Sequence, residues 1–151
     1  MNRKLMKHFS AIIILLLFLS AIVSAESKEE KEELYYGILA GSYDVIGRYP
    51  DSSLTYTGKI ILKNSGEVFE VIRNINDKTI KGTGKIETAS ADRTKVLRVR
   101  FTENNKAYEA TYIIGMDLDN YGRLTGYIYL KDGDTKQAGL EALFSDHVYN
   151  K

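Results

Sequence analysis

The sequence contains no cysteine and no tryptophan, and its one proline is Pro50. Without cysteine the chain cannot form disulfides, thiolate zinc sites or a cysteine nucleophile, nor carry the lipid that anchors bacterial lipoproteins. The net charge of +1 is too small for the clustered basic face of a nucleic-acid-binding protein. Tyrosine and glycine are frequent instead, with 11 and 12 residues, which is typical of a sheet protein with tight turns.

The first 25 residues are predicted to be a signal peptide. Arginine and lysine side chains within residues 1–7 precede an apolar run over residues 11–23, and small residues follow at Ser24 and Ala25. An uncleaved anchor is the alternative, but the run is shorter than the roughly 20 apolar residues that span a bilayer. We therefore expect an exported protein, either periplasmic or extracellular, with no stable membrane span after cleavage.

Behind this segment the sequence predicts three further parts. Residues 26–34 are almost all charged and form a leader that we expect to be disordered, because it has no apolar stripe to bury. Residues 35–145 form the folded domain, and residues 146–151 form a C-terminal tail. A Ser-His-acid enzyme would need His147 as its base, and a tail cannot hold a base in place. No catalytic residue is predicted, and we expect no enzyme.

The folded domain alternates apolar and polar residues with the period of a strand. In residues 54–62 the apolar set shares one face with Gly58, while lysine and threonine dominate the other. Ser65-Gly66 predicts a two-residue hairpin turn that sets Leu62 opposite Phe69 and Ile60 opposite Val71.

A second hairpin is predicted at Asn104-Asn105. It sets Phe101 opposite Tyr108 and Leu97 opposite Tyr112 on the inner face, and Arg100 opposite Glu109 on the outer face. Opposite charges at that spacing form a cross-strand ion pair.

The pattern gives eight strands, the first over about residues 37–48, with short connections and no amphipathic helix between them. Such a series is a meander, and an antiparallel meander avoids exposed edges by closing into an up-and-down barrel. Glycines on the inner face suit the sharp coiling of a small barrel: Gly58, Gly82, Gly84 and Gly126. The predicted fold is therefore an all-β, eight-stranded antiparallel up-and-down meander barrel. A two-sheet sandwich is the alternative, but it normally needs longer crossovers.

Five glycine motifs resemble those of small exported bacterial barrels, most of them uncharacterised and some labelled fibronectin-binding. They are GSYDVIG at 41–47, YTGKI at 56–60, GTG at 82–84, GRLTG at 122–126 and GLEAL at 139–143. They also resemble the wider calycin group of lipocalins and avidins over roughly residues 37–144. The resemblance implies a calycin-like barrel that binds a protein or a small ligand. Tyr43 stands where lipocalins usually keep a tryptophan, and the tryptophans of an avidin biotin site are missing.

Arg73 alternates in step with the inward residues Phe69, Val71 and Ile75, so it should point into the barrel. A charge inside a barrel needs a partner or a ligand. The last strand has two possible registers. A three-residue loop at 132–134 leaves Glu141 outside and turns four residues inward: Ala138, Leu140, Ala142 and Phe144. A two-residue loop puts Gln137 and Glu141 inside, where Glu141 could pair with Arg73. Gly133 and the apolar set favour the first register.

Arg73 is thus either half of a salt bridge that fixes the register or an anchor for an anionic ligand. The candidate ligand-binding residues are Arg73, Tyr43, Tyr56, Tyr112 and Glu141, and no metal site or cofactor is predicted. Residues 117–120 imitate a calcium loop but lack its later ligands, so an Asp-rich turn is the better interpretation. Tyr127 and Tyr129 would form a protein-binding patch if they face outward.

Together these features predict an exported, non-enzymatic binding module. It would recognise a protein, or a small apolar or anionic ligand, through the barrel surface or mouth, and would not bind nucleic acid. The alternative is a periplasmic inhibitor of a lytic enzyme such as lysozyme, which would present an acidic loop at 117–120 or 132–134.

Overall fold

The structure, a computed structural model, describes residues 33–89, 94–115 and 122–146. The predicted signal peptide, most of the charged leader, the Asp-rich turn at 117–120 and His147 lie outside the described residues. Tyr36 is the first residue of the compact unit that contains the folded domain.

Eight antiparallel strands form a closed barrel in which each strand pairs with its neighbours in sequence and the last pairs with the first. This confirms the predicted up-and-down barrel. The strands are β1 (Gly41–Arg48), β2 (Thr55–Asn64), β3 (Phe69–Ile75), β4 (Lys78–Thr88), β5 (Lys95–Glu103), β6 (Lys106–Ile113), β7 (Arg123–Leu130) and β8 (Gly139–Ser145).

The alternation of apolar and polar residues gives each strand one face for the barrel interior and one for the outer surface. On β3 the odd-numbered residues from Phe69 to Ile75 are buried, while Glu70 and Asn74 are exposed. Closing the sheet buries the apolar face and satisfies the outer hydrogen-bonding groups of β1 and β8 by pairing those strands.

The predicted hairpin at Asn104-Asn105 is confirmed. Both residues have positive φ, 50° and 60°, as a two-residue type I′ turn requires and as asparagine tolerates. The register pairs Phe101 with Tyr108 and Arg100 with Glu109. Arg100 Nε donates to Glu109 Oε2 over 2.8 Å, so the predicted ion pair is also present.

The predicted register after Ser65-Gly66 is wrong by two residues. Leu62 pairs with Val71, and the last pair before the turn is Asn64 with Phe69. The turn is centred one residue later than predicted, on Gly66-Glu67, and Ser65 N–H donates across it to the Val68 carbonyl over 2.9 Å. The inner face stays as predicted, since an even shift does not change which side a residue faces.

The favoured register of the last strand is also wrong. Glu141 is buried, whereas Leu140 is 45% exposed. No tight hairpin sets this strand, because residues 131–138 form a long loop in which Leu130 N–H donates to Thr135 Oγ1. Pairing of β8 with β1 and β7 fixes it instead. The other register was right about Glu141 but wrong about Gln137, which lies exposed in the loop.

A short helix, described over residues 33–39, stands where the sequence predicted the start of the first strand and the end of the leader. Tyr36 and Leu39 from it are buried. The Tyr36 ring packs 4.8 Å from that of Phe69, and its hydroxyl accepts a hydrogen bond from Ile86 N–H at 3.2 Å. These contacts cover one end of the barrel, called here the closed end. The other end, with the loops at 49–54 and 131–138, is the mouth.

We expect Gly126→Ala to destabilise the barrel by about 2 kcal/mol or more, as overpacking does. A Cβ at Gly126 would overlap the Thr111 carbonyl oxygen and lie 2.8 Å from the Tyr112 ring. Gly133→Ala is the matched control, because its nearest neighbours are 3.8 Å away. Urea unfolding of both variants measures the difference, and equal midpoints would show that β7 does not need this close approach.

Candidate functional site

Four of the five predicted site residues meet in the middle of the barrel. Arg73 comes from β3, Glu141 from β8, Tyr56 from β2 and Tyr112 from β6. Arg73 is 2% exposed and Glu141 3%, and both tyrosines are also buried. We call these four residues the buried cluster.

Tyr43 is not part of this cluster. It lies towards the closed end, where its hydroxyl donates to the Leu39 carbonyl over 2.9 Å. Its ring therefore helps to hold the helix against the barrel.

Two glycines make room for the buried cluster. The inward neighbours of Glu141 are Gly47 on β1 and Gly126 on β7. Tyr56 on β2 pairs laterally with Gly47, and Tyr112 on β6 pairs laterally with Gly126. A Cβ at Gly47 would lie 2.5 Å from the Tyr56 ring. The two rings can therefore lean over the glycines and reach the carboxylate between them.

The Glu141 carboxylate accepts four hydrogen bonds. Tyr56 donates to Oε1 and Tyr112 to Oε2. Arg73 donates from Nη2 to Oε1 and from Nη1 to Oε2, the latter over 3.2 Å, in the two-pronged geometry that makes arginine–carboxylate pairs strong. The guanidinium carbon also lies 4.1 Å from the centroid of the Phe101 ring, a cation–π contact.

Burial and charge together set the protonation of the cluster. Burial raises the pKa of the Tyr112 hydroxyl well above its usual value, and the adjacent Glu141 raises it further. The pKa of Tyr56 is raised for the same two reasons. Burial, the largest single influence, would lower the pKa of Arg73, but Glu141, Tyr112 and Tyr56 together outweigh it and the pKa is raised. Both phenols thus stay neutral donors and the guanidinium stays charged.

This geometry is that of a satisfied ion pair. Glu141 occupies the place beside Arg73 that an anionic ligand group would take, and its acceptor positions are used within the cluster. Within the described ranges, Arg73 Nε is the cluster atom without a hydrogen-bond partner. The cluster can hold strands together, but a substrate would have to displace buried side chains to reach it.

The mouth side of the cluster is covered by aromatic rings. Tyr49 packs 4.5 Å from Tyr56 between ring centroids and donates to Glu103 over 3.4 Å. Phe101 stacks on Tyr108 at 5.2 Å. Sequence reasoning missed Tyr49 and Gly47 as contributors. Gly47 could have been found from the sequence. It lies two residues after Val45 and four after Tyr43, so all three face the inside of the barrel.

The outer surface of β1, β8, β7 and β6 is unusually apolar. Tyr127 and Tyr129 both face outward, which decides the question that the sequence left open. Four large apolar side chains here are between 45% and 54% exposed: Ile46, Ile113, Tyr127 and Leu140. Together with Ala142, Thr125 and the charged Arg48 they line a groove of about 460 Å³. We call the four large apolar residues, with Ala142 and Thr125, the apolar face.

Nowhere in ranges 33–89, 94–115 and 122–146 do three or more histidine, aspartate or glutamate side chains come together in a way that could hold a metal ion. No helix in those ranges is long and apolar enough to cross a bilayer.

No protein-family model matches the chain, and no curated protein is significantly similar to it.

We expect Arg73→Met and Glu141→Gln each to cost about 3–5 kcal/mol of unfolding free energy, because each leaves a buried group without its partner. The double variant should cost clearly less than the sum, since the new amide at position 141 can still accept from the tyrosines and no charge is left buried. Urea unfolding of the four proteins measures this coupling. Additive losses would mean that the two side chains do not interact in solution.

Alkaline pH should destabilise the fold. Burial raises the pKa of Tyr43 to about 12, against about 10 in the unfolded chain. The folded state therefore holds the proton more tightly, so this stability is present below pH 10 and is lost as the pH rises towards 12. Unfolding free energies at about pH 9 and 11 should fall more steeply for wild type than for Tyr43→Phe, with exposed Tyr127→Phe as control. Parallel losses in all three proteins would contradict this assignment.

Proposed function

We propose that the protein is an exported, non-enzymatic binding module with a calycin-like barrel that recognises a macromolecule through the loops at its mouth. The observation that carries the proposal is the filled interior, because the space that a calycin would offer to a small ligand is taken by the buried cluster.

An eight-stranded barrel is just wide enough for its own side chains or for one small ligand. Here Arg73, Glu141, Tyr56 and Tyr112 occupy the middle, and Tyr36 and Leu39 cover the closed end. A ligand would have to separate a buried ion pair, and unpaired buried charges cost several kcal/mol each. Recognition on the outside avoids that cost.

The mouth loops are held in place before any partner arrives. Asp51 N–H donates to the Gln137 carbonyl over 2.9 Å, and Gln137 N–H donates back to Asp51 Oδ1 over 2.7 Å. Arg48 donates to the Ala138 carbonyl over 3.1 Å. Loops already ordered on a rigid scaffold lose little entropy on binding, which favours recognition.

A large apolar side chain projects from this ordered rim. Leu54 is 72% exposed, at the end of the loop that Asp51 ties to residues 131–138. An exposed leucine on a preorganised loop provides the apolar contact that a macromolecular partner can bury.

Export is supported by the basic, apolar and small-residue pattern of residues 1–25. The absence of enzymatic activity is supported by the inaccessibility of the buried cluster. Inhibition of a lytic enzyme receives no support from the described loop at 131–138, which carries Lys131 and Lys136 beside Asp132 and Asp134. The other acidic candidate, at 117–120, lies outside the described residues. Its charges balance and give no preference for a basic enzyme.

The test combines an interior probe with a mouth probe. A fluorescent fatty acid should show no saturable binding at micromolar concentrations. A photoreactive benzoylphenylalanine at position 54 should cross-link, in the producing cells, to a partner identified by mass spectrometry. The same group at Thr83, exposed on the outer face of β4, should not capture that partner. Fatty-acid uptake would overturn the proposal, as would the same adducts at both positions or no adduct at either.

A further inference from the structure

The groove on the apolar face runs across four neighbouring strands. Lateral pairing arranges its residues in two rows: Ile46, Ala142, Thr125 and Ile113 in the first, and Leu140 and Tyr127 in the second, which is nearer the mouth. Ala142 and Thr125 are small, so they form a floor between larger side chains. Three strand spacings separate β1 from β6, about 14 Å, which is the length of about four residues of extended chain.

Arg48 lies at the mouth end of this groove and lines it. It pairs laterally with Thr55 on β2 and with Leu140 on β8, so its side chain shares their outer surface. One nitrogen of the guanidinium, Nη2, donates to the Ala138 carbonyl over 3.1 Å, which holds the group at the edge of the groove. No carboxylate of the described residues forms an ion pair with Arg48. Its other N–H groups can therefore donate to a carboxylate from outside, and such charge-assisted hydrogen bonds are the stronger kind.

A second arginine gives the groove a positive border on the side away from the mouth. Arg123 is exposed on β7, and within the described ranges it also has no acidic partner. Acidic side chains on neighbouring outward positions are already engaged in ion pairs: Asp44 and Asp146 with Lys59, and Glu109 with Arg100. The two arginines therefore leave positive charge at the groove that the carboxylates of a partner can neutralise.

The groove begins beside the mouth contact proposed above. Thr55 lines it and follows Leu54, the leucine that is 72% exposed at the mouth. A chain that contacts Leu54 can therefore continue past Arg48 onto the apolar floor. Because an extended chain alternates its side chains, every second residue would face the floor, where apolar side chains would be buried against Ala142. An acidic residue at the mouth end of the same chain would meet Arg48.

We propose that the groove binds an extended acidic segment of the macromolecular partner, with its apolar side chains on the floor and a carboxylate on Arg48. This inference rests on the proposed function and deepens it, because it names the chemistry of the partner: alternating apolar residues with at least one aspartate or glutamate. The contact is short, so the isolated segment is expected to bind with a dissociation constant in the micromolar range. In the whole partner it adds to the contact at Leu54.

A phage-displayed library of random peptides tests this with the protein as recovered after export. The library is first depleted on Ala142→Leu, which fills the floor of the groove without changing its charge, and the remainder is selected on wild type. The selected peptides should combine apolar residues with aspartate or glutamate. Selection on Arg48→Glu, after depletion on the Ala142→Leu form of that variant, should yield lysine or arginine instead, because the recognising charge is reversed.

Two further variants separate recognition from folding. Lys81→Glu makes the same charge reversal on the outer face of β4 and should select the acidic peptides of wild type. Arg48→Gln keeps a donor for the Ala138 carbonyl, and should lose the preference for acidic peptides without gaining one for basic peptides. In fluorescence anisotropy a selected acidic peptide should bind Arg48→Glu at least about tenfold more weakly than wild type. Thermal unfolding checks that every variant is folded.

Peptides of the same composition from wild type and Arg48→Glu would overturn the proposal. So would a library from which nothing survives depletion, or a selected peptide that a free fatty acid displaces. The cross-link at position 54 tests the proposed function separately. A partner captured there while no acidic peptide is selected removes the groove assignment alone, whereas acidic peptides with no adduct at position 54 remove the mouth contact alone.

Discussion

The interior of this barrel depends on the ion pair between Arg73 and Glu141. Removing two charges from water is costly, and the cost is offset by close pairing and by further hydrogen bonds to the charged groups. Here two nitrogens of the Arg73 guanidinium donate to the Glu141 carboxylate. The hydroxyls of Tyr56 and Tyr112 donate to the same carboxylate oxygens. A one-residue slip of β8 would move Glu141 outside and leave Arg73 unpaired. The pair therefore selects the register of the last strand.

Glycines and aromatic residues accommodate this ion pair in the barrel interior. Gly47 and Gly126 provide the space into which the two tyrosines lean, and Phe101 supplies a ring for the guanidinium. Because these side chains fill the middle, the barrel has little room for a ligand. The proposed recognition therefore lies outside it, at the loops of the mouth.

Local patterns predicted what is decided locally. The Asn104-Asn105 turn set the correct pairing of Arg100 with Glu109, because asparagine at both positions allows the positive φ angles of a two-residue turn. The turn predicted at Ser65-Gly66 lies one residue later, on Gly66-Glu67, where Ser65 N–H donates across it to the Val68 carbonyl. The alternation of inward and outward side chains placed Arg73, Tyr56 and Tyr112 on the inner face. It did not place Glu141 there, because the long loop before β8 leaves the register of that strand open.

The sequence by itself determined the strand period, the eight-stranded meander and the inward position of Arg73, because side chains on an extended chain alternate whatever lies around them. Only the tertiary structure decided that Glu141 pairs with Arg73. Closure of the barrel pairs β8 with both β1 and β7, and this pairing fixes the register of β8. It also decided that Leu140 and Tyr127 share an outer surface with Ile46 and Ile113. Those residues are far apart in the chain, and lateral pairing alone brings them together.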